Sequence, residues 1–149
     1  MQLGLATADT TEYQPLRILS VEDEPLNRAL LRASIARART SRLSEAEFVE
    51  APTLTEARRL VRLAHYDLVL LDRRLPDGDG FELARELLDI PPRERPVVIA
   101  LTADAVPATR EAASRAGCNA VLTKPFRPSE LIALIEEVLS ARPNNRRIR

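Results

Sequence analysis

Lysine is almost missing from this chain: of its 22 basic residues, Lys124 is the only one that is not arginine. Cysteine is as scarce. The single Cys118 excludes an intramolecular disulfide framework, and with one histidine, His65, it leaves too few soft ligands for a structural zinc site. A reducing, cytoplasmic setting is therefore expected. No segment approaches the roughly 18 apolar residues of a membrane span, and the opening MQLGLATADTTEYQP lacks the basic start and apolar run of a signal peptide. Net charge is also lacking, with 22 acidic against 22 basic residues, so no overall field draws the chain to nucleic acid or an anionic membrane. The basic residues near the end, Arg142, Arg146, Arg147 and Arg149, have no aromatics among them and make a poor nucleic-acid contact.

What is present reads as one domain. At 149 residues the chain can bury roughly two-thirds of its unfolded surface. Residues 1–15 read as a flexible leader, 16–141 as the domain and 142–149 as a flexible basic tail. Apolar runs at 17–21, 48–51, 67–71, 95–101 and 120–123 predict five strands. Helical spacing follows each one: Leu26, Ala29, Leu30 and Ala33 after Pro25; Leu54, Ala57, Val61 and Ala64 behind a capping Thr53; Phe81, Ala84, Leu87 and Leu88; a weaker stretch from Pro107 to Ala116, ended by Gly117; and Leu131, Leu134, Ile135, Val138 and Leu139. Five strand–helix alternations predict an α/β fold: a doubly wound, flavodoxin-like (βα)5 unit with a parallel five-stranded sheet of order 2-1-3-4-5 and helices on both faces.

In such a sheet ligands bind beyond the carboxyl ends of the strands. After strand one come Glu22, Asp23 and Glu24; after strand three, Asp72; after strand four, Thr102; after strand five, Lys124 and Pro125. Strand two, the edge, is followed only by Ala51 and Pro52. Three carboxylates meeting at one edge repel by about 4 kcal/mol per close pair at a moderate effective dielectric. A cation must join them. Hard divalent ions prefer oxygen ligands, and magnesium binds through one or two carboxylates, retained waters and a phosphate. Lys124 supplies a compact positive charge on the opposite side. The loop LPDGDG, with Gly78 and Gly80, gives the backbone freedom to turn away after Asp72.

The blocks VEDEP, VLLDRRLPDGDGF, ALTADA and LTKPF, in this order and spacing over residues 16–141, resemble the receiver domain of two-component response regulators, in a single-domain form like the chemotaxis regulator. The resemblance implies that Asp72 accepts a phosphoryl group from phosphohistidine on a sensor histidine kinase or a histidine phosphotransfer protein. It implies magnesium or manganese held by Asp23, by Glu22 largely through water, by Asp72 and by the backbone carbonyl of Arg74. Thr102 and Lys124 would contact phosphoryl oxygens, and Pro125 would follow a cis peptide bond. Such a protein is no enzyme in the ordinary sense, catalysing only its own phosphotransfer and dephosphorylation, and signals by docking on a downstream protein. Three departures from the family pattern stand out in this chain. Val121 stands where an aromatic switch residue is usual, which shifts the relay to backbone movement over 102–108. Arg74 and Asp104 flank the path of hydrolytic water and are expected to gate the phosphate as a pair. Asn119 and Ala120 stand where relatives with the OmpR-type dimer commonly carry acids, which argues against that dimer.

Other readings compete. The chain also fits the receiver module of a larger DNA-binding regulator or hybrid kinase, and more remotely a Toprim-like magnesium enzyme, although Arg73 and Arg74 then interrupt the expected acidic pair. Asp77, Asp79, Gly80 and Glu86 occupy positions 3, 5, 6 and 12 of a calcium loop whose position 1 would be Leu75, so its first ligand is missing. Ser20 and His65 invite a hydrolase reading without a nucleophile elbow.

Overall fold

The structure, a computed structural model, describes residues 15–142. Apart from Pro15 and Arg142, the expected leader and tail lie outside the described residues. In chain order the elements are β1 (Arg17–Val21), α1 (Pro25–Ala36), α2 (Ser41–Ser44), β2 (Glu47–Ala51), α3 (Leu54–Leu63), β3 (Leu68–Asp72), β4 (Arg74–Leu75), β5 (Gly78–Asp79), α4 (Gly80–Leu87), β6 (Val97–Thr102), α5 (Pro107–Arg115), β7 (Ala120–Thr123) and α6 (Pro128–Ser140). β2, β1, β3, β6 and β7 form one parallel sheet in that order, which is the expected 2-1-3-4-5 winding.

The alternation of side chains along each strand splits the core into two layers. Leu19, Val21, Val69, Leu71, Val98 and Ala100 face α3, α4 and α5, meeting Leu54, Ala57, Phe81, Leu87 and Ala113. Ile18, Leu68, Leu70, Ile99 and Leu101 face α1, α2 and α6, meeting Leu31, Leu43, Ile35, Leu131 and Ile135. Every residue of β3 is buried, which explains its unbroken apolar run. Local chemistry fixes where helices begin. Thr53 Oγ1 accepts from Glu56 N at 3.1 Å, and Asp79 Oδ1 accepts from Phe81 N at 2.9 Å, capping α3 and α4.

Several expectations need correction. α1 buries Leu31, Ser34 and Ile35, whereas Leu26, Ala29, Leu30 and Ala33, the residues whose spacing marked this helix in the sequence, are exposed. Two apolar stripes share this helix, and the inner one was disguised by Ser34, whose hydroxyl donates to Leu30 O at 2.8 Å. Leu88 is 38% exposed, lying over Gly117 instead of entering the core. Helix α2 and the antiparallel β4–β5 hairpin were not anticipated, nor was the docking of the Arg142 side chain, which is 9% exposed. Its guanidinium donates to the carbonyls of Asp67 and Arg95 at the amino end of the sheet, beside the buried Asp67 carboxylate.

Candidate functional site

Strand register puts the expected polar groups in a row. Val21 lies opposite Leu71, Asp72 opposite Leu101, and Thr102 opposite Thr123, so Glu22, Asp72, Thr102 and Lys124 emerge side by side. Glu22, Asp23 and Asp72 each offer an oxygen within 4.8 Å of the others. Lys124 Nζ lies 3.2 Å from Glu22 Oε1 and 3.3 Å from Asp72 Oδ2. The Lys124–Pro125 peptide is cis. Glu22 is buried, and its Oε2 accepts from Glu24 N at 3.1 Å and Asn27 Nδ2 at 3.4 Å. Asp72 Oδ1 accepts from Arg74 N at 3.3 Å.

Burial, and then the neighbouring Glu22 charge, push the Asp72 carboxyl above its ordinary value, while Lys124 and the Arg74 N–H pull it back. Three carboxylates around one ammonium leave two negative charges uncompensated. An oxygen-only donor set with that excess fits a hard divalent cation, magnesium or manganese.

The remaining expected residues are nearby but otherwise engaged. The Thr102 hydroxyl donates to Asp104 O and accepts from Asp104 N, both at 3.1 Å. Val121 is half-buried against the α3–α5 layer. Arg74 and Asp104 are exposed, and among the described residues no ion pair joins them; Asp104 Oδ1 instead accepts from Val106 N at 3.2 Å.

The loop after Asp72 does more than turn. A Cβ on Gly80 would sit 2.2 Å from the Asp72 carbonyl oxygen, and Gly80 N donates to Arg73 O at 2.6 Å. Close approach, not conformational freedom, demands glycine there. Asp77 accepts from Leu54 N and Thr55 N at 2.9 Å and from Thr55 Oγ1 at 2.8 Å, bonds that lower its carboxyl to about 2. Asp79 caps α4 and meets Arg73 Nε at 3.4 Å, while the Arg73 guanidinium lies over the Phe81 ring at 4.5 Å. With both aspartates so committed, the calcium-loop reading fails. The hydrolase reading fails as well, since Ser20 is fully buried within β1 and His65 is exposed ahead of β3, at the opposite end of the sheet.

A family model, the response regulator receiver domain, matches residues 18–136. An uncharacterized 14.6 kDa protein of Leptolyngbya boryana is 39% identical over 127 residues, covering 85% of this chain and 92% of that protein. The aerobic respiration control sensor protein ArcB of Escherichia coli K12 is 37% identical over 130 residues, which cover 87% of this chain but 16% of the sensor. Among solved structures, the receiver domain of the sensor histidine kinase PA1611 from Pseudomonas aeruginosa PAO1, with magnesium coordinated in its active-site cleft, is 31% identical with a TM-score of 0.70; the match covers 85% of this chain and 99% of that one.

Proposed function

The chain belongs to the response regulator receiver family, and from that premise we propose that it is a phosphorylation-dependent switch whose acceptor is Asp72. One observation carries the reading: the only lysine of the chain reaches both Glu22 and Asp72 inside the carboxylate cluster. An Asp72 oxygen attacks the phosphorus of a phosphohistidine on a histidine kinase or phosphotransfer partner. The phosphorus–nitrogen bond breaks, its electron pair leaves with the imidazole, and Asp72 becomes an acyl phosphate. Lys124 releases the Asp72 carboxylate and pairs with a phosphoryl oxygen, and Thr102 turns its hydroxyl from the Asp104 backbone to another. Asp23, Asp72, the Arg74 carbonyl and, through water, Glu22 would hold magnesium or manganese, which supplies charge neutralisation for the phosphoryl oxygens. The chain catalyses only its own phosphorylation and dephosphorylation.

The added charge, about −1.5 to −2, is the signal. Because Val121 gives little bulk behind Thr102, the 102–108 backbone carries the change to a docked protein in the cytoplasm. Neither nucleic acid, membrane nor an OmpR-type dimer belongs to this reading. Arg74 and Asp104 close over the phosphate once it is present and slow its hydrolysis; an Arg74→Ala variant with an unchanged phosphate lifetime would refute that part.

Mass spectrometry after incubation with acetyl phosphate and magnesium tests the whole. One phosphate is gained by the wild-type protein and none by Asp72→Asn or without metal. No gain with any divalent ion would sink the reading. A single-domain switch is favoured by the near-complete match to the Leptolyngbya protein. The match to a small part of ArcB supports a second reading, a receiver within a larger kinase or DNA-binding regulator, and the parent reading frame separates the two. A Toprim-type enzyme is set aside, since it gives Lys124 no task.

A further inference from the structure

The β1–α1 turn holds two of the three cation-facing carboxylates, and its backbone is gripped from outside the cluster by one side chain. Arg28 Nη1 donates to Glu22 O at 3.3 Å and to Asp23 O at 3.0 Å. Its Nε lies 3.9 Å from Glu50 Oε1, and the other Glu50 oxygen takes Arg32. Glu50 belongs to β2, the edge strand that sends no ligand to the site, and Ala51 O accepts from Glu22 N at 3.0 Å. The turn is thus tied to the edge strand by its amide on one side and by the Arg28–Glu50 bridge on the other. Among the described residues no other side chain is bonded to those two carbonyls. The remaining bonds within the turn, from Glu24 N and Asn27 to the Glu22 carboxylate, orient that side chain but leave the Asp23 backbone alone.

We propose that Arg28 is a positioning residue for the divalent cation, holding the Glu22–Asp23 turn so that both carboxylates face Asp72, with Glu50 orienting the guanidinium. The inference rests on the metal-dependent switch proposed above.

Charge and position predict opposite signs, which makes the role measurable. A guanidinium beside a cation site repels the cation, so deleting it would tighten binding several-fold if charge alone mattered. Deleting a group that orients ligands weakens binding, typically by about 10- to 100-fold. The experiment is manganese binding to the unphosphorylated full chain, followed by electron paramagnetic resonance of free Mn2+, for wild type, Arg28→Ala, Arg28→Lys and Arg32→Ala. Circular dichroism melts check that each variant is folded. We expect Arg28→Ala to bind about tenfold more weakly, Arg28→Lys to recover most of that loss, and Arg32→Ala, which leaves both carbonyl bonds in place, to match wild type. A folded Arg28→Ala with equal or tighter affinity overturns the positioning role, as does an equal loss in Arg32→Ala. Wild type that binds no manganese overturns the metal reading of the site itself, a failure distinguishable from the other two.

Discussion

Replacing Gly80 by alanine should damage the fold and the site together, because the new methyl has nowhere to go. Its carbon would lie 2.2 Å from the Asp72 carbonyl oxygen, 3.2 Å from the Asp72 carbonyl carbon and 3.1 Å from Leu71 Cδ1. Two of these neighbours are backbone of a fully buried strand, so relief requires β3 and the start of α4 to separate instead of a side chain swinging aside. Overpacking of this kind costs about 1–3 kcal/mol, and with backbone on one side the upper part of that range applies. Alanine returns at most about 1 kcal/mol through helix propensity at the first position of α4. The net loss is roughly 2 kcal/mol, which for a domain of this size lowers Tm by about 6–10 °C. Thermal melts by circular dichroism measure it. The residue displaced is the proposed phosphoacceptor, so acetyl phosphate labelling should slow in the same variant even at temperatures where it is fully folded. A melt within about 2 °C of wild type with undiminished labelling would refute the close contact between Gly80 and Asp72.

Asp72→Asn should stabilise the metal-free protein at neutral pH. The folded state holds the Asp72 carboxyl above its ordinary value, so folding favours the protonated form; that contribution is present at acidic pH and lost as pH rises through the folded value, and the variant's advantage grows over the same interval. Equal melting temperatures at pH 7 and pH 4 would contradict this. Asp77 has the opposite sign: its carboxyl is lowered to about 2, so its contribution is complete above roughly pH 4 and disappears as pH falls through about 2. The melting difference between wild type and Asp77→Ala should therefore shrink across that window, and a constant difference would mean the bonds to Leu54 and Thr55 do not matter. On α1, Leu31→Ala should cost about 2–5 kcal/mol and Leu26→Ala less than about 0.5, measured by urea unfolding. The reverse ranking would mean that the helix is rotated.

The strands and the row of polar groups were legible because both are written locally: an apolar run ends, and a charged or hydroxyl residue follows within two positions, whereas the order 2-1-3-4-5 followed from the winding rule for such alternation. Register then does the rest, since parallel neighbours deliver Glu22, Asp72, Thr102 and Lys124 to one edge. The inner face of α1 was not legible, because Leu26 with Leu30 and Leu31 with Ile35 satisfy the same spacing and only the packing of α2 and α6 chooses between them. Two-residue strands such as β4 and β5 are too short to carry any period. The tasks of Asp77, Arg28 and Arg142 were invisible for a related reason: each serves backbone atoms, and a carbonyl or amide left free at a strand or helix end has no signature in the side-chain sequence. Gly80 could have been found, since a glycine opening a helix directly after the loop that follows a strand-end carboxylate marks a close approach as readily as a flexible turn.

The placement of Lys124 has a practical corollary in protein chemistry. Acylating reagents that couple dyes, cross-linkers or solid supports through ε-amines have a single internal target here, and that amine sits between two carboxylates with 22% of its side chain exposed. Attachment through it would occlude the site itself, so this protein is better immobilised through its termini. The same reagents become a footprint: coupling at Lys124 should slow when a phosphoryl group engages the amine, giving a readout of occupancy that needs no radioactive label.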